Sequence, residues 1–515
     1  MPGSGVKTVS LSRPDYIVVG AGSAGCVMAS RLAHLTGGRI LLVEAPTVTE
    51  APANDRNRPR HWLRLLGSPN DWNHATEPTP TLANRRLAWP RGRGLGGSSR
   101  INAMIWFPPT PSDLESLRAA SGGQWSRQLL DEALESIETM VAPESPRWLS
   151  DAGQWFMRHA NHLCDTEHQP MVYHRCNRNG RRWNAGQLLA DFSDQRITVL
   201  RANVDRVEVS DQRVVGIRVV SNSGDCETIL CRHGVVMCAG AIGTPTILMR
   251  SGIGSDELLR RHQIPVRAEQ EGVGKNLSDH LLMPLVYATR GNSFSSEQNS
   301  VRDIARWQIA GTGKLVSNIA ECGGLFQNQS LQLHVTPTHY LTYPKASATG
   351  MMTLGINLTQ PKSRGELEIS SALPADPPKI NTGYLSDPDD LAGLVKGVNW
   401  ARRWLQSIEA NDWIVEEIIP GAKRVSDDAI AKTVARFAQT LYHPVGTCRF
   451  GHHIDTPVDP KFQFRNLDCL WCADASVLPG PTIGNPNATV MTLAWMAAAS
   501  ISEQAIGEPN RRPSF

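Results

Sequence analysis

Six small residues near the start of the chain, Gly20-Ala21-Gly22-Ser23-Ala24-Gly25, have the types and spacing to hold a pyrophosphate. Glycines at the first, third and sixth places let backbone N–H groups approach phosphate oxygens, and a helix starting there turns its positive end on them. Glu44 follows 24 positions after Gly20, an acid suited to accept hydrogen bonds from an adenosine ribose. A carboxylate there repels a 2′-phosphate, so the ligand is expected to be FAD or NAD. The elements that must position these groups lie around them. Asp15 to Val19 is a short apolar, β-branched run, Cys26 to Leu35 has a helical pattern, and Arg39 to Val43 reads as a buried strand ending on Glu44. Strand, glycine turn, helix and strand make a βαβ unit, which is far more specific than the glycines alone.

Further along, small residues recur where a flat ring could be approached. Trp89 to Phe107 contains Gly94, Gly96, Gly97 and Ser98, with Asn102 placed to offer an amide. Gly240 to Gly254 follows a strand at Val235 to Cys238, so a strand again delivers a helix through glycine. Near the end come Leu441 to Cys448, with His443 and Gly446, then Ala473 to Pro479 with Asp474, then Gly484 to Met491 with Asn485 and Asn487.

With these segments in order, the chain resembles the glucose-methanol-choline (GMC) oxidoreductases, on the choline dehydrogenase and aryl-alcohol oxidase side. The resemblance also rests on Asp71-Trp72, on Gly272 to His280 and on Gln360 to Leu367, and runs nearly end to end. It implies FAD, an alcohol substrate, and hydride transfer from the α-carbon to flavin N5. His443 stands where the family carries its histidine, and an imidazole can take the hydroxyl proton near neutrality. Asn487 is expected as its partner, hydrogen-bonding the substrate oxygen; as bland roles, His443 would cap a turn and Asn487 the helix from Ala488. The FAD contacts implied are Gly20, Gly22, Ser23, Ala24, Gly25, Glu44, Ala45, Arg91, Gly96, Gly97, Ser98, Asn102, Ala103, Met104, Val204, Ala239, Gly240, Asp474, Ala475, Asn485, Pro486 and Asn487.

Some family members attach FAD covalently through a histidine in the Gly-Gly-Ser-Ser segment. Here Arg100 and Ile101 occupy those places, so noncovalent FAD is expected. Pro46, where the family usually has glycine, restricts the turn after Glu44-Ala45. For His280, His334, His339, His452 and His453 a structural role is expected first, with His334 and His339 able to line the pocket. Tyr442, Trp106 and Phe107 are expected in the core or shaping the pocket.

The expected fold is α/β, α+β overall: a Rossmann-like FAD-binding domain interleaved with a substrate domain built on an antiparallel sheet. Flavin motifs place the first at 13–140, 195–285 and 440–510, and leave 141–194 and 286–439 to the second. In the latter, Leu331 to Val335 and Met351 to Leu358 read as strands and Asp387 to Gln406 as an amphipathic helix.

Composition narrows the class. The 515 residues are ample for a core, and 52 Lys and Arg against 49 Asp and Glu give no electrostatic case for nucleic acid or an anionic membrane. Ala488 to Ile501 is apolar but shorter than the roughly 20 residues a membrane span needs. Met1 to Pro14 lacks the apolar core of a secretory signal. Ten irregularly spaced cysteines suit reduced thiols in a cytoplasmic enzyme, and the lone Cys469-Leu-Trp-Cys472 reads as two core cysteines rather than a zinc site. A pyridine-nucleotide dehydrogenase would share the first motif but not the Gly94–Asn102 segment or the C-terminal His443 and Asn487. A non-redox FAD-binding lyase or scaffold would not need His443. Dioxygen, giving hydrogen peroxide, is the expected acceptor, with a quinone or other acceptor as the alternative.

Overall fold

The computed structural model describes residues 13–47, 49–191, 195–221, 224–290, 300–343, 350–408 and 413–507. Most of the N-terminal stretch read for a signal, and residues 508–510 of the expected FAD-binding unit, lie outside the described residues.

Along the chain, β1 (Tyr16–Val19) leads into α1 (Ser23–Thr36) and β2 (Ile40–Glu44), then β3 (Gln169–Val172), β4 (Ile197–Arg201), β5 (Gly234–Met237) and α2 (Gly240–Arg250). Next come β6 (Leu281–Thr289), β7 (Cys322–Phe326), β8 (Leu331–Thr336), β9 (Gly350–Leu358), α3 (Pro388–Ser407), β10 (Ile414–Ile419), β11 (Leu470–Cys472) and α4 (Asn487–Gly507).

β4, β2, β1, β5 and β11 form one parallel sheet in that order, with Tyr16 registered against both Ile40 and Gly234. β1 and β2 are buried along their whole length, which is why they read as continuous apolar runs rather than alternating ones. α1 ends at Gly37 in the left-handed region (φ 65°), a conformation glycine adopts freely. The apolar run Ala488 to Ile501 is the body of α4, buried on most sides and packed along α1; no described helix is long and apolar enough to cross a membrane.

The second sheet is antiparallel, in the order β10, β6, β9, β8, β7, β3, with Gln439–Thr440 also pairing β6. Its strand β8, and β9 from Thr353 on, alternate. Leu331, Leu333 and Val335 of β8 share a face with Leu354, Ile356 and Leu358 of β9, and α3 lies on that face, so that a methyl added at Gly397 would come 3.2 Å from both Ile356 and Leu331. Gln332, His334, Thr336, Thr353 and Asn357 lie on the opposite face, away from α3. The boundary drawn at 285/286 falls inside β6, which belongs wholly to the antiparallel sheet: the Asp279-His280 motif runs directly into that strand. His339 lies beyond the end of β8, in a turn.

Candidate active site and nucleotide cradle

The glycine turn is shaped by close approach. Gly20 has φ 98°, and a Cβ there would lie 2.5 Å from the Cys238 carbonyl oxygen; one at Gly25 would collide with the Gly20 carbonyl. Ala24 and Gly25 are buried within α1. Gly22 faces open space on its side-chain side. The first turn of α1 has no side-chain cap and no acidic residue, so its N–H groups point outward for an anion. The Gly94–Met104 segment closes against this turn: Gly96 N–H donates to the Ala21 carbonyl at 2.7 Å, and a Cβ on Gly97 would come 2.7 Å from Gly22 Cα. Glu44 joins the two, accepting the Ala21 N–H (2.7 Å) on one oxygen and the Gly94 N–H (2.9 Å) on the other. Each oxygen keeps a second lone pair for a ribose hydroxyl. Burial raises the Glu44 carboxyl above its ordinary range, opposed by those two N–H groups.

Ser23 Oγ donates to Asn487 Oδ1 at 2.7 Å, bringing the starts of α1 and α4 together. Asp474 accepts from Gly240 N–H (2.8 Å) and Thr244 Oγ1 (2.6 Å) on one oxygen and from Ser476 N–H (2.7 Å) on the other, tying the start of α2 to the segment after β11; Ala475 accepts from Gly446 N–H. These uncapped N–H groups and close-packed glycines fit a dinucleotide. Other expected contacts have local duties. Asn102 Oδ1 accepts from Met104 N–H and from Arg182; Met104 itself sits at φ 58°. Ala103 presents its carbonyl to Asn318 Nδ2, Ser98 Oγ accepts from Gly92 N–H, and Ala239 N–H donates to Thr244. Val204 is half-buried with its carbonyl toward Arg250, Ala45 is buried after β2, and Pro486 accepts the N–H of Val490. Arg91 reaches the Tyr442 carbonyl at 2.6 Å, so it braces the His443 segment.

His443 is held on three sides. Its backbone N–H donates to Asp279 Oδ1 at 2.6 Å, and the other Asp279 oxygen accepts from Thr440 Oγ1 (2.6 Å) and the Tyr384 hydroxyl. Its ring Nδ1 lies 3.0 Å from His280 Nδ1, and its Nε2 lies 3.0 Å from Asn485 Nδ2. The proton positions follow from one acceptor. His280 Nε2 is 2.8 Å from the Thr359 carbonyl, which can only accept, so that nitrogen carries the hydrogen and His280 Nδ1 is bare. His443 must then donate from Nδ1, leaving its Nε2 lone pair to receive an Asn485 N–H. Burial keeps both rings neutral. His443 is lowered well below 6.5 by desolvation first, then by His280, His334 and Arg91; desolvation lowers His280 too, partly offset by the Thr359 carbonyl and Asp279.

The partner of His443 is therefore Asn485, and the expectation for Asn487 is corrected. Asn487 is the first residue of α4 rather than its cap, and its amide engages Ser23 and Met491 Sδ. The two amides flank Pro486 and leave the turn in different directions, which spacing does not reveal. His280, expected in a structural role, holds the His443 ring, and Asp279, known from the sequence only as part of the Gly272 to His280 motif, holds its backbone N–H. Their signal was two titratable residues immediately before the nine-residue apolar strand β6. The His452 and His453 rings lie 3.9 Å apart, tilted by 39°, with His452 against the Ala120 carbonyl. All ten cysteines are free, and among the described residues no cluster of His, Cys, Asp or Glu could hold a metal.

Two family models described as GMC oxidoreductase match, one at residues 14–282 and one at 361–494. An "Alcohol dehydrogenase [acceptor]" of Pseudomonas putida is 32% identical, with 95% of each chain covered. An "Oxygen-dependent choline dehydrogenase" of Pseudomonas savastanoi pv. phaseolicola is 31% identical over 95% of this chain and 94% of its own. Among solved structures, the pyridoxine 4-oxidase of Mesorbium loti superposes with a TM-score of 0.82 at 26% identity, covering 94% of this chain and 98% of that one. With models matching more than half its length, at both ends, and relatives above 30% identity along nearly all of it, the chain belongs to the GMC oxidoreductase family.

Proposed function

We propose that this oxidoreductase uses noncovalently bound FAD to oxidise an uncharged primary alcohol to the aldehyde, with His443 as the base. The observation that carries this is the hydrogen-bond chain from the Thr359 carbonyl through His280, which leaves the His443 Nε2 lone pair facing Asn485. Bound FAD supplies the acceptor for the hydride from the α-carbon. With alcohol bound, the Asn485 N–H leaves the His443 Nε2 lone pair and turns to the substrate oxygen, which it holds in line while Nε2 takes the hydroxyl proton. Because the ring is already neutral well below its ordinary range, no proton has to leave it first. Gly22, Ser23, Glu44, Gly96 and Gly97 would hold the dinucleotide.

The engagement of the nearby acids supports an uncharged substrate. Asp279 is committed to three donors, Asp113 to the Ile483 and Thr110 N–H groups and the Thr110 hydroxyl, and Glu321 to Ser150 and Ser317, so none is left for a cationic head group. Noncovalent attachment is supported by Arg100, which is tied to Glu50 and the Arg93 carbonyl, and by buried Ile101. The ten free cysteines suit a reducing, cytoplasmic setting. Reoxidation by dioxygen, yielding one hydrogen peroxide per aldehyde, is the first reading of the acceptor; the name of the P. putida relative favours a second, a quinone or other carrier.

The test is anaerobic mixing of the yellow enzyme with a panel of primary alcohols, followed by admission of air. Bleaching of the flavin with aldehyde formation is expected, and no bleaching with any alcohol overturns the reading. Reduced flavin that survives in air but reoxidises at once with a quinone assigns the second acceptor.

A further inference from the structure

The face of the antiparallel sheet turned toward His443 is buried yet lined with polar side chains that lack partners. Gln332, His334, Thr336 and Asn357 are each at most 5% exposed. Gln332 Nε2 and Oε1, both ring nitrogens of His334, Thr336 Oγ1 and Asn357 Oδ1 have no hydrogen-bond partner among the described residues. The Tyr173 hydroxyl, which donates to the Leu333 carbonyl (2.6 Å) and accepts the Gly324 N–H (3.0 Å), keeps one lone pair within reach of the Gln332 amide N–H, so the Gln332 carbonyl oxygen is the atom of that side chain left for a ligand. Leaving buried polar atoms without partners is costly, and apolar replacements of similar shape are not. A sheet face built this way is suited to a ligand that supplies the partners.

Its location says which ligand. Register places Gln332 opposite Asn357 and His334 opposite Gly323 and Gly355, so His334 stands between two residues without side chains. His334 is also close enough to His443 to bear on its protonation, and close enough to His280 to be held down by it. Alternate residues on a strand lie about 7 Å apart, so His334 and Gln332 reach successively farther from the reacting carbon. Beside His334 runs an apolar wall: the Tyr173 ring centroid is 5.4 Å from that of His334 and 6.2 Å from that of Phe107, while Phe107 packs against Gly484, the neighbour of Asn485. Ile105, Ala320, Leu325 and Ile483 complete that wall.

Resting on the alcohol-oxidising reading above, we infer that the substrate is an aromatic primary alcohol whose ring carries uncharged hydrogen-bonding groups, recognised by Gln332, His334 and Asn357 while the ring lies against Phe107 and Tyr173. These three are specificity residues; the proton goes to His443. A plain hydrocarbon alcohol would leave their polar atoms unpaired in the complex, which selects against it.

The experiment compares anaerobic flavin reduction of the holoenzyme by 3,5-dihydroxybenzyl alcohol, benzyl alcohol and 1-hexanol, in wild type and in Gln332→Leu and His334→Leu. Preference for the dihydroxy compound over benzyl alcohol by at least about tenfold in kcat/KM is expected, since each unmade buried hydrogen bond costs about that factor or more. Each leucine variant should narrow the preference, mainly through KM for the dihydroxy compound, while the melting temperature of the substrate-free holoenzyme holds or rises. Equal or better use of benzyl alcohol or hexanol by wild type overturns the inference and leaves the oxidoreductase reading intact, as does an undiminished preference in both variants. Loss of melting temperature in both variants also overturns it, because the polar atoms would then have partners within the fold. Flavin that no alcohol reduces defeats the underlying reading instead.

Discussion

Replacing His280 removes the acceptor that fixes the His443 tautomer, and the cost can be worked from the geometry. In His280→Leu the His443 Nδ1–H, now 3.0 Å from an acceptor, becomes a buried donor without one. That is worth about 1–3 kcal/mol. At about 1.4 kcal/mol per tenfold, flavin reduction at saturating alcohol should slow by roughly 5- to 150-fold, with KM little changed because His280 does not face the substrate. The pH profile adds a second readout. His280 is among the groups that lower His443, so its removal raises the His443 pKa and moves the acid limb of kcat/KM to higher pH. His280→Gln keeps both bonds in principle, its amide N–H toward the Thr359 carbonyl and its oxygen toward His443, and should recover most of the rate. Stopped-flow absorbance of the flavin under nitrogen measures all three. A His280→Leu enzyme that retains FAD, reduces within twofold of wild type and shows an unmoved acid limb refutes the relay.

The two asparagines should separate cleanly. Asn485→Ala is expected to slow reduction by about 10- to 100-fold as a lost transition-state hydrogen bond, whereas Asn487→Ala, which breaks the contact with Ser23, should lower FAD retention on dialysis; the reverse pattern would reinstate Asn487 at the base. In wild type, kcat/KM should stay level as pH falls through 6.5, because His443 remains unprotonated there; an acid limb centred near 6.5 contradicts its burial. His334, held at about 3 by burial and His280, binds no proton in the folded state between its unfolded value of 6.5 and that point. The unfolded chain does, so stability should fall as pH falls through this window, and His334→Leu should show a shallower decline of melting temperature with acid. Acid precipitation should release the yellow colour to the supernatant, and colour kept in the pellet would mean covalent FAD.

The nucleotide turn was readable because backbone geometry leaves few residue types able to occupy it. Gly20 at φ 98° against Cys238, and Gly25 against Gly20, admit no side chain, so the glycine spacing is a direct imprint of the packing. β1 and β2 were readable because burial on both faces demands unbroken apolar runs, and α4 showed as an apolar run for the same reason. The active-site pairings were not readable. His280 and His443 lie 163 positions apart, and nothing local to either marks the other. Asn485 and Asn487 are the same residue type on either side of a proline, and which one turns to the histidine is decided by where α4 begins. The bond from Arg91 to the Tyr442 carbonyl was equally hidden, because that carbonyl comes from a loop 351 positions away with Tyr442 at φ 67°. The domain boundary at 285/286 cut β6 because the motif reads on without punctuation into the strand.

The strand order of the parallel sheet carries a consequence for biogenesis. Its members, β4, β2, β1, β5 and β11, include one from the first twenty residues and one from Leu470–Cys472, and Ser23 finds its partner at Asn487. The nucleotide cradle is thus closed by a contact between residues 464 positions apart, and Asn485 reaches His443 from the same late segment. Without those contacts the β5 edge of the sheet is open as well as the β4 edge, and α1 lacks the helix that covers it, an arrangement that favours chaperone capture and slow, non-local closure. Cofactor loading therefore waits on contacts that no local segment can make alone: the cradle exists only once α1 and α4 have met.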